Sequence, residues 1–374
     1  MSRGLYIHIP FCAKKCAYCN FDTTACERED RDYTSVFRNY VKSIKKEMGF
    51  YRGKSVSSVY IGGGTPTLLG AGCILDILEA SRDNFLIEDN AEISIESNPG
   101  TVDYKALETL RDAGINRISI GVQSFDDKLL KIMGRIHTAQ QAKQTFYNAR
   151  KAGFNNINID LIFALPTQTF GRWEKTLNEA SELGPDHISV YNLTIEEGTK
   201  FYDLLETKSI QSASNELEAQ MYEYAIEYLE KKGWSHYEVA NFALKGRRCL
   251  HNLIYWSSQP YIGVGAGATS YINGVRYTNI KEPQLYIDRV NNNSDSILWV
   301  ESSEKLLGRK KVAEEVIVGL RMREGIALTE DIMVHFSDTI EDMVKERLLE
   351  KSGPNIRLTH NGLMIANCVY REFL

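Results

Sequence analysis

The stretch Gly4–Phe21, GLYIHIPFCAKKCAYCNF, decides how the rest of the chain is read. Leu5, Ile7 and Ile9 alternate with Tyr6 and His8, the period of two that marks a strand. Pro10 ends that strand, because it has no N–H to give to a ladder. Cys12, Cys16 and Cys19 follow at C-x3-C-x2-C spacing. A short cysteine loop after a strand can hold zinc, a disulfide or an iron–sulfur cluster. A structural zinc site needs four ligands and usually a second Cys/His pair elsewhere. Three close thiolates suit a cubane cluster better and leave one iron open to an external ligand. The plainer alternative is three unrelated thiols or a disulfide, but seven cysteines in 374 residues are few for a disulfide scaffold.

A chain of 374 residues implies two or more domains and ample core. Charged residues at 25% and apolar ones at 43% place it among ordinary globular proteins. The net charge of −5 gives no electrostatic case for nucleic acid as a partner. No run approaches the roughly 18 apolar residues of a membrane span. The N-terminus enters the first strand directly, without a signal peptide, and cluster thiols need a reducing compartment, so a cytoplasmic protein is expected. Cys26, Cys73, Cys249 and Cys368 are scattered. Cys26, seven residues beyond Cys19, reads as a thiol outside the ligand set.

Strands and helices alternate through the first half. A helix is expected from about Asp32 to Met48, then the strand SVSSVYIGGG, a helix near Cys73–Arg82, and the strand EISIES. The helix Tyr104–Ala113 stops at Gly114, and RISIGVQ follows as a strand. Two helical stretches run to Ala152 with Gly153 as their stop, before the strand INIDLIFALP, a helix near Arg172–Leu183 and the strand HISVYNL. Six βα repeats predict an α/β fold with a parallel sheet and right-handed crossovers. Six are too few for an eight-fold barrel, so a partial, open (β/α)6 barrel is expected, with its site at the C-terminal strand ends.

Polar residues gather at those ends. Gly62, Gly63, Gly64, Thr65 and Pro66 follow the second strand, where glycines let backbone N–H groups approach a ligand carboxylate. A tight turn explains the same residues. Glu96 ends the third strand and Gln123 the fourth. Asp160 sits amid apolar residues of the fifth, costly without partners. Arg135 is placed to pair with a carboxylate. Each reads equally as site or scaffold, and together they support one another.

C-x3-C-x2-C with Tyr18 before the last cysteine resembles the radical S-adenosylmethionine (SAM) enzymes. In that family the open iron binds SAM, and an electron from the cluster cleaves it to a 5′-deoxyadenosyl radical. The flanking YIHIPFC is similar to the coproporphyrinogen III oxidase-like branch. Oxidases of that branch carry a fourth Cys two residues after the third; this chain has Phe21, and CNF resembles the HemW-type heme chaperones. The resemblance implies a [4Fe-4S] cluster on Cys12, Cys16 and Cys19. It implies SAM contacts at Tyr6, Tyr18, Gly63 and Glu96. Gly64, Thr65, Gln123, Arg135 and Asp160 match positions that contact a second SAM in the oxidase.

From Thr194 the pattern changes. TIEEGTKFYDLLE is expected across the barrel mouth. Leu217, Met221, Ala225, Tyr228 and Leu229 recur at helical spacing as core, stopped by Gly233, and SHYEVANFAL reads as strand. His251, Asn252, Tyr255 and Trp256 lie in HNLIYW. A neutral imidazole suits heme iron, and Tyr and Trp offer flat faces to a macrocycle. A hydrogen-bonded packing histidine is the other reading. The stretch resembles the HNxxYW signature of the heme chaperones, which implies His251 as heme ligand. Cys249, two residues away in a segment read as extended, would share its face and is the second candidate. GVGAGATS follows as a glycine-rich turn; many relatives of that branch carry His where this chain has Thr269, which weakens the case for a second histidine ligand there.

Beyond about Ser294 a small winged-helix-like unit is expected. Lys305–Arg323 is helical, and Asp338 and Glu341 form a D-x-x-E capping box opening a helix to about Lys351. Gly353–Pro354 breaks it, NIRLTHNGL is a strand and turn, and a last helix runs to Leu374. The acidic segment TEDIMVHFSDTIED speaks against a DNA-reading face and for partner docking. The expected organisation is therefore 1–195 barrel, 196–293 extension bearing HNLIYW and 294–374 helical domain. Two functions follow from the resemblance. The first is a heme chaperone, lacking oxidase activity, that passes heme to an apo-hemoprotein, plausibly respiratory and membrane-associated, with a homodimer allowed. The second is oxygen-independent decarboxylation of coproporphyrinogen III. Radical heme degradation or methylation uses the same scaffold.

Overall fold

The structure is a computed structural model that describes residues 3–26, 33–292 and 298–374. The expected helix start at Asp32 and the domain boundary at 294 lie outside the described residues. Six parallel strands form in chain order and lie side by side: β1 Gly4–Ile9, β2 Lys54–Gly63, β3 Phe85–Ser97, β4 Arg117–Gln123, β5 Ile157–Phe163 and β6 His187–Asn192. Their alternation explains the arrangement. Ile118, Ile120 and Val122 of β4 point outward and are fully buried beneath the crossover helices, while Arg117, Ser119, Gly121 and Gln123 point to the concave side. The helices carry the sequence signals expected of them. Asp103 caps Tyr104–Asp112, Thr138 and Gln141 form a capping box on Ala139–Lys151, and Gly114 and Gly153 follow with positive φ.

The sheet is wider than six strands. Tyr261–Val264 pairs in parallel with the free side of β1, so the first strand ends up inside the sheet. Thr269–Ile272, Val275–Asn279 and Val300–Lys305 then extend that side antiparallel. Asn241–Ala243 and Ser235–Glu238 extend the other side beyond β6. Among the described residues the two outer edges do not pair, so the barrel is open. Glu47 fastens the glycine-rich turn behind it: this fully buried carboxyl accepts from Gly265 N–H (2.8 Å), Asn279 Nδ2 (2.8 Å) and Tyr286 Oη.

A second core sits in the C-terminal residues, where Val316, Leu320, Phe336, Ile340, Ile356, Val369 and Phe373 pack together. Helices Gly308–Gly319 and Glu330–Lys345 lie on a three-stranded ribbon of Ile326–Ala327, Leu349–Ser352 and Asn355–Leu358. The expected start at Asp338 is corrected. The helix opens with its cap nine residues earlier, where Thr329 Oγ1 accepts from Ile332 N–H. Asp338 lies in its interior, just past a non-helical Phe336 (φ −139). The helix ends at Lys345, and Leu349–Ser352 is strand because it pairs with Asn355–Leu358.

Candidate cofactor-binding cavity

Strand register sets the inward rows. Tyr6 lies opposite Tyr60, Tyr60 opposite Ser94 and Ser94 opposite Arg117; Glu96 lies opposite Ser119, Ser119 opposite Asn158 and Asn158 opposite His187. Complete barrels fill such rows with branched apolar side chains. Here the rows are polar and enclose a cavity of about 520 Å³ that runs up to the cysteine loop. Cys12, Cys16 and Cys19 all line it. Ala17 anchors the loop: its N–H donates to Met133 O (2.9 Å), its C=O accepts from Phe201 N–H (2.8 Å), and its methyl packs with Leu129 and Leu130.

No disulfide joins any of the seven cysteines. Among the described residues no three His, Cys, Asp or Glu side chains converge on a single-ion site. A cubane needs something else, since each cysteine ligates a different iron and the three thiols stand around the cluster. The surroundings suit sulfur carrying negative charge: Thr65 Oγ1 donates to Cys12 Sγ (3.6 Å) and Arg135 Nη1 to Cys16 Sγ (3.5 Å). Without a metal, burial pushes the Cys12 thiol up to about 11. Gly64 passes so close that a Cβ there would lie 2.6 Å from Phe11 O and 2.9 Å from Cys12 Sγ. These residues fit the group.

Around the loop, Glu96 accepts from Tyr60 Oη (2.8 Å) and Gly63 N–H (2.9 Å), and burial pushes its carboxyl up to about 7. Asp160 accepts from Ser119 Oγ (2.9 Å) and Asn158 Nδ2 (2.8 Å); burial raises it too. Arg135 Nη2 donates to Asn98 Oδ1 (2.6 Å) and Gly121 O (2.7 Å). Gln123 closes β4 with φ +66, left-handed backbone rare for a non-glycine, at the cavity rim. Tyr18, Gly63, Gly64, Glu96, Gln123, Arg135 and Asp160 thus line one cavity with the thiols. Tyr6 and Thr65 do not. Tyr6 is stacked behind Tyr60 with its Oη 2.9 Å from His8 Nδ1. Thr65 is buried behind the loop, accepting from Asn98 Nδ2 (2.7 Å).

HNLIYW corrects a second reading. It is the helix Leu250–Trp256, with Cys249 at its N-cap, so Cys249 and His251 do not share an extended face. The cause is Glu92 on β3, whose carboxylate accepts from Leu250 N–H (3.2 Å), His251 N–H (3.4 Å) and Cys249 Sγ (3.5 Å). His251 is buried with both nitrogens engaged, Nδ1 at 2.8 Å from Ser58 Oγ and Nε2 at 2.9 Å from Tyr255 Oη. Burial, then the nearby Arg117 charge, push it down to about 3, so the ring is neutral. Asn252 alone of the motif reaches the cavity, while Tyr255 and Trp256 line an outer pocket of about 290 Å³ with Tyr261 and Tyr271. The helix therefore partitions the two spaces. Sequence reading assigned nothing to Asn98, Asn158 or Arg117; the signal available was phase, since Arg117 alternates in step with Ser119, Gly121 and Gln123.

Residues 6–180 match the Radical SAM superfamily. The chain is 33% identical to the heme chaperone HemW of Lactococcus lactis over 99% of its length and 96% of that protein's. It is 33% identical to the heme chaperone HemW of Bacillus subtilis (100% and 99%), and 31% identical to that of Escherichia coli (99% and 98%). The chain belongs to the heme chaperone HemW family. Its fold matches the coproporphyrinogen III oxidase HemN of Escherichia coli, a radical SAM enzyme, with a TM-score of 0.83 over 100% of this chain and 90% of that one at 24% identity. Membership of the radical SAM superfamily implies a [4Fe-4S] cluster and SAM for this HemW-family chain. Among its described residues no helix is long and apolar enough to cross a membrane.

Proposed function

We propose that this HemW-family protein is a cytoplasmic heme chaperone that binds heme and hands it to an apo-hemoprotein, a respiratory one that can be membrane-associated. The observation that carries the reading is the extent of the similarity. It spans 99% or more of the chain, so the Phe21 position and HNLIYW both fall inside it. In this reading residues 1–195 carry the cofactors, 196–293 present HNLIYW, and 294–374 dock a partner, which can include a second copy.

Cys12, Cys16 and Cys19 would hold the cluster, which supplies the electron for reductive SAM cleavage when both are bound. Gly63 and Glu96 would hold the amino acid and ribose ends of SAM, Tyr18 borders the loop, and Gln123, Arg135 and Asp160 line the remaining wall. Tyr6 and Thr65 act from behind, setting Tyr60 and Cys12 in place. Heme ligation by His251, or by Cys249 in its stead, exchanges existing hydrogen bonds for iron, so the helix Leu250–Trp256 has two states. A carrier needs them, because ligand is released only if its affinity differs between states.

The test is an anaerobic heme titration of cluster-reconstituted protein, followed optically, beside His251→Ala and Cys249→Ala. A saturable heme band weakened by one substitution and transfer to an apo-hemoprotein are expected. Absence of saturable binding, with anaerobic conversion of coproporphyrinogen III to protoporphyrinogen, would replace the chaperone by the oxidase.

A further inference from the structure

Arg117 opens β4 at the floor of the barrel cavity and is 2% exposed. A buried guanidinium normally spends its five N–H groups on acceptors, since an unpaired buried charge is among the costliest features a fold can keep. Arg117 does not. Its one ion pair is long, Nε to Glu92 Oε2 at 4.0 Å, and no hydrogen bond from the guanidinium is found among the described residues. Glu92 is held at that distance by its bonds to Cys249 Sγ and the N–H groups of Leu250 and His251. Neighbouring acceptors are engaged elsewhere: Asn158 Oδ1 takes His187 Nδ1 at 2.6 Å and Ser189 Oγ at 3.3 Å, and Asp160 takes Ser119 and Asn158. What the guanidinium faces is the cavity, and Asn252 lines the same space.

We propose that Arg117, which shares the cavity lining with Asn252, is the anion-binding floor of the barrel cavity and receives the carboxylate of a bound ligand. The planar fork of a guanidinium matches a carboxylate bidentately, which a lysine at this place would not. The floor is remote from the cysteine loop: Arg117 starts the strand and Gln123 ends it, about 20 Å away at the rise of a strand. Two ligands proposed for this protein carry such a group: heme through its propionates, and a SAM molecule other than the one held at the cysteine loop, through its methionyl carboxylate. The heme source rests on the function proposed above; the SAM source does not.

The experiment compares each acid with its carboxyl-free analogue. Heme and its dimethyl ester are titrated optically, and SAM and decarboxylated SAM by anaerobic equilibrium dialysis, against the parent, Arg117→Met and Arg117→Lys. One acid is expected to lose about 10–100-fold in affinity on Arg117→Met, the range of a charge-assisted bidentate pair, with partial rescue by lysine. Its analogue should bind parent and variant alike. Loss confined to heme identifies a propionate, and loss confined to SAM the methionyl carboxylate. The inference is overturned if both acids bind Arg117→Met as they bind the parent, or if an analogue loses as much as its acid. Should Arg117→Met not fold, Asn252→Ala carries the same comparison, with a loss of about 3–10-fold expected for the same acid. Parent protein that takes up no heme defeats the chaperone reading and leaves the SAM comparison standing.

Discussion

Glu96→Gln isolates the electrostatics of the cavity wall. In the folded protein the carboxyl is pushed from 4.5 up to about 7 by burial, against two favourable hydrogen bonds from Tyr60 Oη and Gly63 N–H. A raised acid pKa means that the folded state holds a proton that the unfolded chain releases. The associated stability is fully present below pH 4.5 and is lost as pH rises through about 7. The full interval corresponds to about 3 kcal/mol, reduced to roughly 2 kcal/mol because one side of Glu96 faces the water-accessible cavity. Glutamine cannot titrate. It can turn its carbonyl toward Gly63 N–H and its amide toward Tyr60 Oη, so the substitution itself is mild. Chemical denaturation of parent and variant at pH 5, 6, 7 and 8 measures the difference. The variant should gain about 2 kcal/mol on the parent between pH 5 and 8. A difference constant over that range would refute the claim that Glu96 is held protonated by its surroundings.

Gly64→Ala brings a Cβ to 2.6 Å from Phe11 O and 2.9 Å from Cys12 Sγ, whereas Gly72→Ala meets nothing within 4 Å. The first should cost about 1–3 kcal/mol and lower iron content after anaerobic reconstitution, the second neither, as iron assay and melting curves will show. Serine at Cys12, Cys16 or Cys19 should abolish the cluster's visible absorption, and serine at Cys26 should leave it intact. Thr329→Ala removes the hydrogen bond to Ile332 N–H and should cost about 1 kcal/mol in urea unfolding, while Asp338→Ala, inside the helix, should change stability by less than about 0.5 kcal/mol.

The six strands were legible because each alternates or runs apolar between helix stops, and Gly114 and Gly153 stand where the helices end. The cysteine loop was legible from spacing alone. The helicity of HNLIYW was not, since the partner that caps it, Glu92, is 157 residues from Cys249 in sequence. Both Thr329 and Asp338 offer a cap before an apolar run, and only packing of Ile332 and Phe336 into the second core favours the earlier one. Tyr6 and Thr65 share strands and loops with true lining residues; which side of the wall they occupy depends on His8, Tyr60 and Asn98, all contacts made in three dimensions. Arg117 shows its phase in the sequence but not its lack of hydrogen-bond partners.

The seat of β1 inside the sheet has a consequence for synthesis. One flank of β1 is built by residues 54–63 but the other by residues 261–264, so roughly 250 residues must be made before the strand below the cysteine loop is enclosed. At about 5–20 residues per second that takes tens of seconds. Throughout that time Cys12, Cys16 and Cys19 have emerged on a nascent chain whose cradle is unfinished. Metal loading before residues 261–264 are made would meet an unfinished site, which places productive cluster insertion in the last third of synthesis or after it and makes the shorter nascent chain the form most exposed to oxidants.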